Sequence, residues 1–568
     1  MKRSSALAIA LAGLLATSAA PPSASYSLII RGGTIYDGSG GTPYVGDVAM
    51  KGDKIAYVGP HAPGRASRTV DATGKAVSPG FINMLSWATE SLIADGRGLG
   101  DTAQGVTLEV FGEGNSMGPL NPTMKRLALN RQDDIRFPIS WTTLGQYLEF
   151  LQRKGVTPNV ASFIGATTVR VHELGEKDID PTPEQLNRMR ALVRQAMKEG
   201  AVGVGSSLIY APASFAETPE LIAITAEAAK CGGMYISHMR DEGPKLLEAI
   251  DELVEISKQS GAPAEIYHFK QSGKRNWGKI DAAIARVEAA RAAGHRITAD
   301  MYTYPASSTG FDAAFPLWIQ DGGIEAWVER LKDPATRAKA LADMRGDKAT
   351  ENGELVVKEP DKVILVGFKT DKLKPLTGKT LAEVARERGK SPEETAADLI
   401  AEDGTRIQVV YFGMSEDNVR RAMGLPWMSY GSDAASMAPE GVFLKSSTHP
   451  RAYGNFSRLL GKYVRDEKAA QLPDAIRRLT SLPATNLGIK NRGALKAGYF
   501  ADVVVFDPAQ VRDNATFAKP HQLATGMSHV FVNGVQVMRD GKHTGAKPGR
   551  FVRGPGWTGW PGGGACKK

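Results

Sequence analysis

Only nine histidines occur in 568 residues. Two of them, His238 in YISHMRDE and His268 in YHFKQSG, close consecutive apolar runs 30 residues apart. Carboxylates close others: Glu113 in VFGEG, Asp300 in ITADMY and Asp433 in SYGSDA. Imidazole suits zinc, and two imidazoles with one carboxylate leave a fourth position for water, a known hydrolytic arrangement. The cation acidifies that water and polarises a carbonyl. A nearby carboxylate then takes the water proton and returns it to the leaving amine, a role for which Asp433 is suitably placed. Asp300 has the weaker claim, because a strand-end aspartate can simply orient a neighbouring histidine. Each residue also has a plainer reading: a satisfied core histidine, a turn-capping Asp433, a solvated Glu113.

These residues gain meaning from the elements that carry them. Eight short apolar runs read as buried strands: AVSPGFINML, GVTLEVFGEG, NVASFIGA, AVGVGSSLIY, GMYISHMR, AEIYHFKQ, HRITADMY and WMSYGSDA. Amphipathic stretches such as PTPEQLNRMRALVRQAMKEG separate several of them. The pattern predicts an α/β fold, a (β/α)8 TIM barrel over residues 79–490, whose chemistry lies at the strand C-terminal ends. A gap of about 130 residues between the seventh and eighth strands predicts an inserted subdomain at 310–425, usable as a lid or substrate wall. Alternating runs at 25–78 and 491–555 predict a small β-sandwich built from both chain ends, and 556–568 reads as a flexible tail.

Hydrophobic residues make up 42% and charged residues 23% of the chain, which excludes a mainly disordered protein. The net charge of +9 is not gathered into a basic, aromatic-laced stretch, so no nucleic-acid partner is expected. Lys2 and Arg3, an apolar run from Ala6 to Leu15 and ATSAAPPSAS read as a signal peptide over residues 1–24. The run is too short for an ordinary membrane span. Export to the periplasm or medium follows, with no stable membrane insertion after processing. Cys231 and Cys566 give no disulfide framework and are expected to be unpaired. Nothing bears on oligomeric state.

The motifs LIIRGGTIYDGSG, SPGFIN, QGVTLEVFGEG, MKEGAVGVGSSLIYAPASFAET, YISHMRDE, YHFKQSG, TADMYTYPASST, GSDA, HPRAYGNFSR and GYFADVVVFDP together resemble the amidohydrolase superfamily, and within it the N-acyl-D-amino-acid deacylase (D-aminoacylase) family. The resemblance implies a metal-dependent hydrolase of N-acyl amino acids, often D-isomers. It implies metal ligation by His238 and His268, catalysis by Asp433, substrate-carboxylate contacts from Lys270, Tyr304 and Ser308, and Tyr210 near the scissile group. Two departures stand out. Where the family has an H-x-H metal pair this chain has Leu85 and Trp87, neither of which offers a lone pair. Where it has a ligand cysteine, Glu113 is the nearest replacement. One divalent cation is expected, zinc first, with manganese or cobalt acceptable to the harder donor set. A degenerate barrel that binds an acylated amino acid without turnover is the alternative. GNSMG matches the G-x-S-x-G pattern of a serine nucleophile at Ser116, but Pro119 and Pro122 leave no clean helix after it.

Overall fold

The computed structural model describes residues 25–566 except residue 348; the expected signal segment lies outside the described residues. Eight short strands carry the central sheet: Phe81–Asn83, Val106–Phe111, Asn159–Ser162 continued by Ile164–Gly165, Gly203–Ser207, Met234–His238, Ala264–Ile266, Ile297–Met301 and Met428–Tyr430. They coincide with the eight predicted runs. All pair in parallel, in chain order. The last strand returns to the first, where the Met84 amide donates to the Tyr430 carbonyl at 3.2 Å and Ser86 bridges Ala434. Strands buried on both faces need no alternation, which is why they appear as continuous apolar runs.

The helices between them follow ordinary end chemistry. In Pro183–Glu199, Thr182 and Gln185 form a capping box, Pro183 opens the first turn and Gly200, at φ 114°, ends the helix. Met189, Val193, Ala196 and Met197 form its buried stripe. Both chain ends share one nine-stranded sheet, joined where Ala76–Pro79 runs antiparallel to Val503–Phe506. The insertion between the seventh and eighth strands has its own core, including Phe311, Trp327, Leu365, Ile400 and Tyr411. Its three-stranded antiparallel sheet is Ser307–Gly310, Gln408–Tyr411 and Val363–Gly367. Among the described residues, no helix is long and apolar enough to cross a membrane.

The expectation of two unpaired cysteines is corrected: Cys231 and Cys566 form a disulfide. The Gly554 amide donates to Gly200 O, and in the stretch beyond it, expected to be a flexible tail, the Thr558 amide donates to Lys198 O and the Ala565 amide to Pro555 O. This path carries Cys566 to Cys231, at the end of helix Thr218–Lys230. A separation of 335 residues gives no hint of such proximity.

Inside the barrel, Glu265 is fully buried and accepts hydrogen bonds from Thr298 Oγ1, Asn486 Nδ2 and Ser429 Oγ. Burial outweighs those donors and pushes its carboxyl up to about 7. The folded protein therefore holds a proton that the unfolded chain releases near pH 4.5, so stability falls as pH rises through that interval. The loss reaches roughly 3 kcal/mol above pH 7. Glu265→Gln is expected to unfold at a progressively higher temperature than the parent as pH rises from 5 to 8. A constant difference in thermal unfolding across that range would contradict the assignment.

Candidate active site

The chemistry-bearing side chains converge at the C-terminal ends of the barrel strands. Gly112 follows the second strand at φ 108°, and a Cβ there would lie 2.5 Å from the Phe163 carbonyl oxygen. Glycine alone permits that turn, which presents Glu113 inward. His238 is the last residue of the fifth strand. The sixth strand stops at Ile266, and His268 takes a left-handed conformation (φ 37°), its amide donating to Asp300 Oδ1 at 2.8 Å. Asp300 thus positions the histidine from behind.

Glu113 Oε1 lies 3.0 Å from His238 Nδ1 and 3.0 Å from His268 Nε2, all three residues being buried. A tetrahedral cation with bonds of about 2.0–2.1 Å spaces its donors at about 3.3 Å, so this trio fits a small divalent ion. The far nitrogen of His268 is held in turn. Nδ1 lies 3.0 Å from Glu242 Oε1 and 2.7 Å from Lys270 Nζ, and Lys270 donates to Glu242 at 2.6 Å. A carboxylate behind a ligating imidazole fixes its ring and tautomer. Burial would raise the Glu113 carboxyl, but the two imidazoles outweigh it and hold it well below the ordinary range. Burial pushes the His238 imidazole below its ordinary value, which favours the neutral form that donates a lone pair. Burial and Lys270 oppose charge on His268, yet Glu242 and Glu113 push it up to about 10. Cation entry must displace that proton.

Asp433 stands beside this trio at φ 50°, its amide donating to Leu85 O at 2.9 Å. Its Oδ2 pairs with Arg451 Nη2 at 2.9 Å, and Oδ1 accepts from Trp87 Nε1 at 3.1 Å. The same indole N–H reaches Glu113 Oε2 at 3.0 Å. Leu85 is buried in the barrel interior.

A cavity of about 920 Å³ opens above these groups, walled on one side by the insertion. Lys270, Ser308 and Tyr210 all line it. The Ser308 hydroxyl donates to Val409 O at 3.0 Å. Arg406 Nη2 donates to Thr309 Oγ1 at 2.7 Å and Thr309 donates to the Tyr210 oxygen at 2.8 Å, leaving the phenol's own proton free to point into the cavity. Tyr304 is not brought to the site. Its hydroxyl donates to Asp513 Oδ2 at 2.6 Å, and Tyr302 lines the cavity instead. The seventh strand ends at Met301, so alternation along the strand does not decide between the two tyrosines beyond it. Ser116 donates to Gly118 O at 2.6 Å and accepts from the Gly165 amide at 2.9 Å, which makes it a turn lock rather than a nucleophile.

Sequence reasoning missed Arg451, Glu242 and the contacts of Trp87. Arg451 is buried beside Asp433, over the Tyr302 ring at 4.4 Å, and its Nε and Nη1 have no hydrogen-bond partner. Arg451 lines the cavity, and two buried guanidinium donors without partners are chemically suited to a carboxylate. Arg451 opens a helix rather than ending a strand, so a strand-end criterion passes over it. Glu242, four residues after His238, lies in the following loop.

Residues 68–538 match the amidohydrolase family. The D-aminoacylase of Alcaligenes xylosoxydans xylosoxydans is 32% identical over 531 residues, 93% of this chain and 97% of the relative. A solved D-aminoacylase structure, concerned with a binuclear metal centre showing one-metal activation and second-metal attenuation, matches with a TM-score of 0.75 at 30% identity, over 93% of this chain and 100% of that one. The N-acyl-D-glutamate deacylase of Bordetella bronchiseptica, complexed with zinc and a phosphonate mimic of the tetrahedral intermediate, also matches at 0.75, with 28% identity and the same coverage.

Proposed function

The chain belongs to the amidohydrolase family, and from that premise we propose that it cleaves the amide of N-acyl-D-amino acids to a carboxylic acid and a free amino acid, using one divalent cation, zinc first. The observation that carries this reading is the meeting of three mutually close donor atoms, a carboxylate base and a buried guanidinium with idle donors at one cavity. The resemblance to D-aminoacylase and to zinc-containing N-acyl-D-glutamate deacylase supports the substrate class and the D-preference.

A cation held by Glu113, His238 and His268 supplies Lewis acidity toward water and the acyl carbonyl when bound. Asp433 Oδ1 takes the proton of the attacking water and delivers it to the departing nitrogen. Arg451 beside it favours the carboxylate form against the pull of burial, which raises the Asp433 carboxyl. Burial keeps Tyr210 a protonated phenol, able to donate to the oxyanion as charge develops there. Arg451 and Lys270, with Ser308 and Tyr302 around them, hold the substrate carboxylate. Export also belongs to this reading, and the Cys231–Cys566 bridge supports it because disulfides persist in oxidising compartments.

The test compares each N-acyl-D-amino acid with its C-terminal amide and its L-isomer by release of free amine. Truncating one partner of a buried charge pair typically costs about 2–5 kcal/mol. The free acid is therefore expected to exceed its amide in kcat/KM by about 30-fold or more, and Arg451→Met to flatten that ratio. Equal kcat/KM for acid and amide would remove the carboxylate-binding role. No amine release from any N-acyl amino acid by the metal-loaded protein would overturn the hydrolase.

A further inference from the structure

Trp87 lies in the segment that follows the first barrel strand, tied by its amide to the Ala434 carbonyl at 3.0 Å, so its backbone is fixed across the seam where the barrel closes. Its side chain is 38% exposed, yet the one polar atom it owns is aimed inward, at 3.0 Å from Glu113 Oε2 and 3.1 Å from Asp433 Oδ1. Among the described residues no other side chain donates to either oxygen. Glu113 uses its second oxygen at the candidate metal site, and Asp433 uses its second oxygen on Arg451. One N–H therefore sits between the carboxylates of buried Glu113 and partly buried Asp433, which would otherwise repel.

Two carboxylate oxygens facing one gap are a natural bridge for a cation. The indole occupies that gap with a donor that has no lone pair to offer a metal. Building on the mononuclear hydrolase reading above, we propose that Trp87 is a positioning residue that substitutes for a second cation. Its N–H clamps the general base Asp433 to the metal ligand Glu113, and its ring keeps a second ion out. The geometry makes two separable demands. Deleting only the N–H should let Asp433 drift while Glu113 keeps its contacts with His238 and His268 through Oε1. Placing a lone pair at the same position, beside the two carboxylates, should create a set of donors for a second ion.

Trp87→Phe keeps an aromatic ring and deletes the donor. Its kcat is expected to fall about 10- to 100-fold, as for loss of one hydrogen bond to a charged group, with KM within about threefold and one zinc still bound. Trp87→His is expected to take up two equivalents of zinc in a titration of the metal-free protein followed by calorimetry, against one for the parent. Circular dichroism and thermal unfolding identify a variant that has not folded, and each of the two variants tests the proposal without the other. A Phe variant with parental kcat, or one whose loss lies entirely in KM, would overturn the clamp. A folded His variant that takes up only one zinc, beside a parent that also takes one, would overturn the exclusion. The zinc titration does not depend on the substrate: a parent that binds no zinc overturns the underlying metal reading, whereas a parent with one zinc and no turnover overturns only the hydrolase.

Discussion

Replacing Asp433 by asparagine is expected to lower kcat by about 10²- to 10⁴-fold, the usual contribution of a positioned general base, while metal content stays at the parental value. Asparagine keeps the shape and can still accept from Trp87 Nε1 through its amide oxygen. What it loses is the basic oxygen that accepts the water proton. The change also releases Arg451 from its 2.9 Å ion pair. A guanidinium no longer shared with Asp433 is more available to the substrate carboxylate, so KM should hold steady or fall. A fall in kcat with KM unchanged or lower marks a group acting on the reacting atoms rather than on binding. Steady-state kinetics with an N-acyl-D-amino acid, alongside metal analysis, measures both. Turnover within tenfold of the parent would remove Asp433 from the mechanism.

The second large effect concerns the ligand trio. His238 ends one strand and His268 follows the end of its neighbour, their rings 4.3 Å apart between centroids, and Glu113 Oε1 lies between their inner nitrogens. Removing both imidazoles leaves Glu113 as a single donor, too few to hold a divalent ion against water. The paired His238→Ala/His268→Ala variant is therefore expected to lose its cation and essentially all turnover. Glu113 would also lose the two imidazoles that offset its burial, so some loss of thermal stability should accompany the change.

The strand pattern was legible because a barrel strand is buried on both faces and leaves an apolar run with a polar residue where it meets the mouth. Glu113, His238, His268 and Asp433 stand out by that rule, and the resemblance adds that Glu113 is the nearest replacement for a missing cysteine. The rule fails where the chain leaves the strand. Tyr302 and Tyr304 sit in the loop after Met301, and only three-dimensional placement turns one to the cavity and the other to Asp513. Arg451 comes from a helix start, and Glu242 from a loop held in place by Lys270. Trp87 reads in sequence as a lost ligand; its donated N–H belongs to the fold. The Cys231–Cys566 pairing depends on the route of the C-terminal stretch around the barrel, which local sequence does not encode.

The most direct measurement is metal per chain, by inductively coupled plasma mass spectrometry, on the purified protein after zinc reconstitution and on the His238→Ala/His268→Ala variant. One equivalent in the parent, absent from a folded variant, is the result expected of a single cation held by Glu113, His238 and His268. Two equivalents in the parent would contradict the mononuclear site and the role given to Trp87. No bound metal in the parent would contradict the metal-dependent mechanism itself.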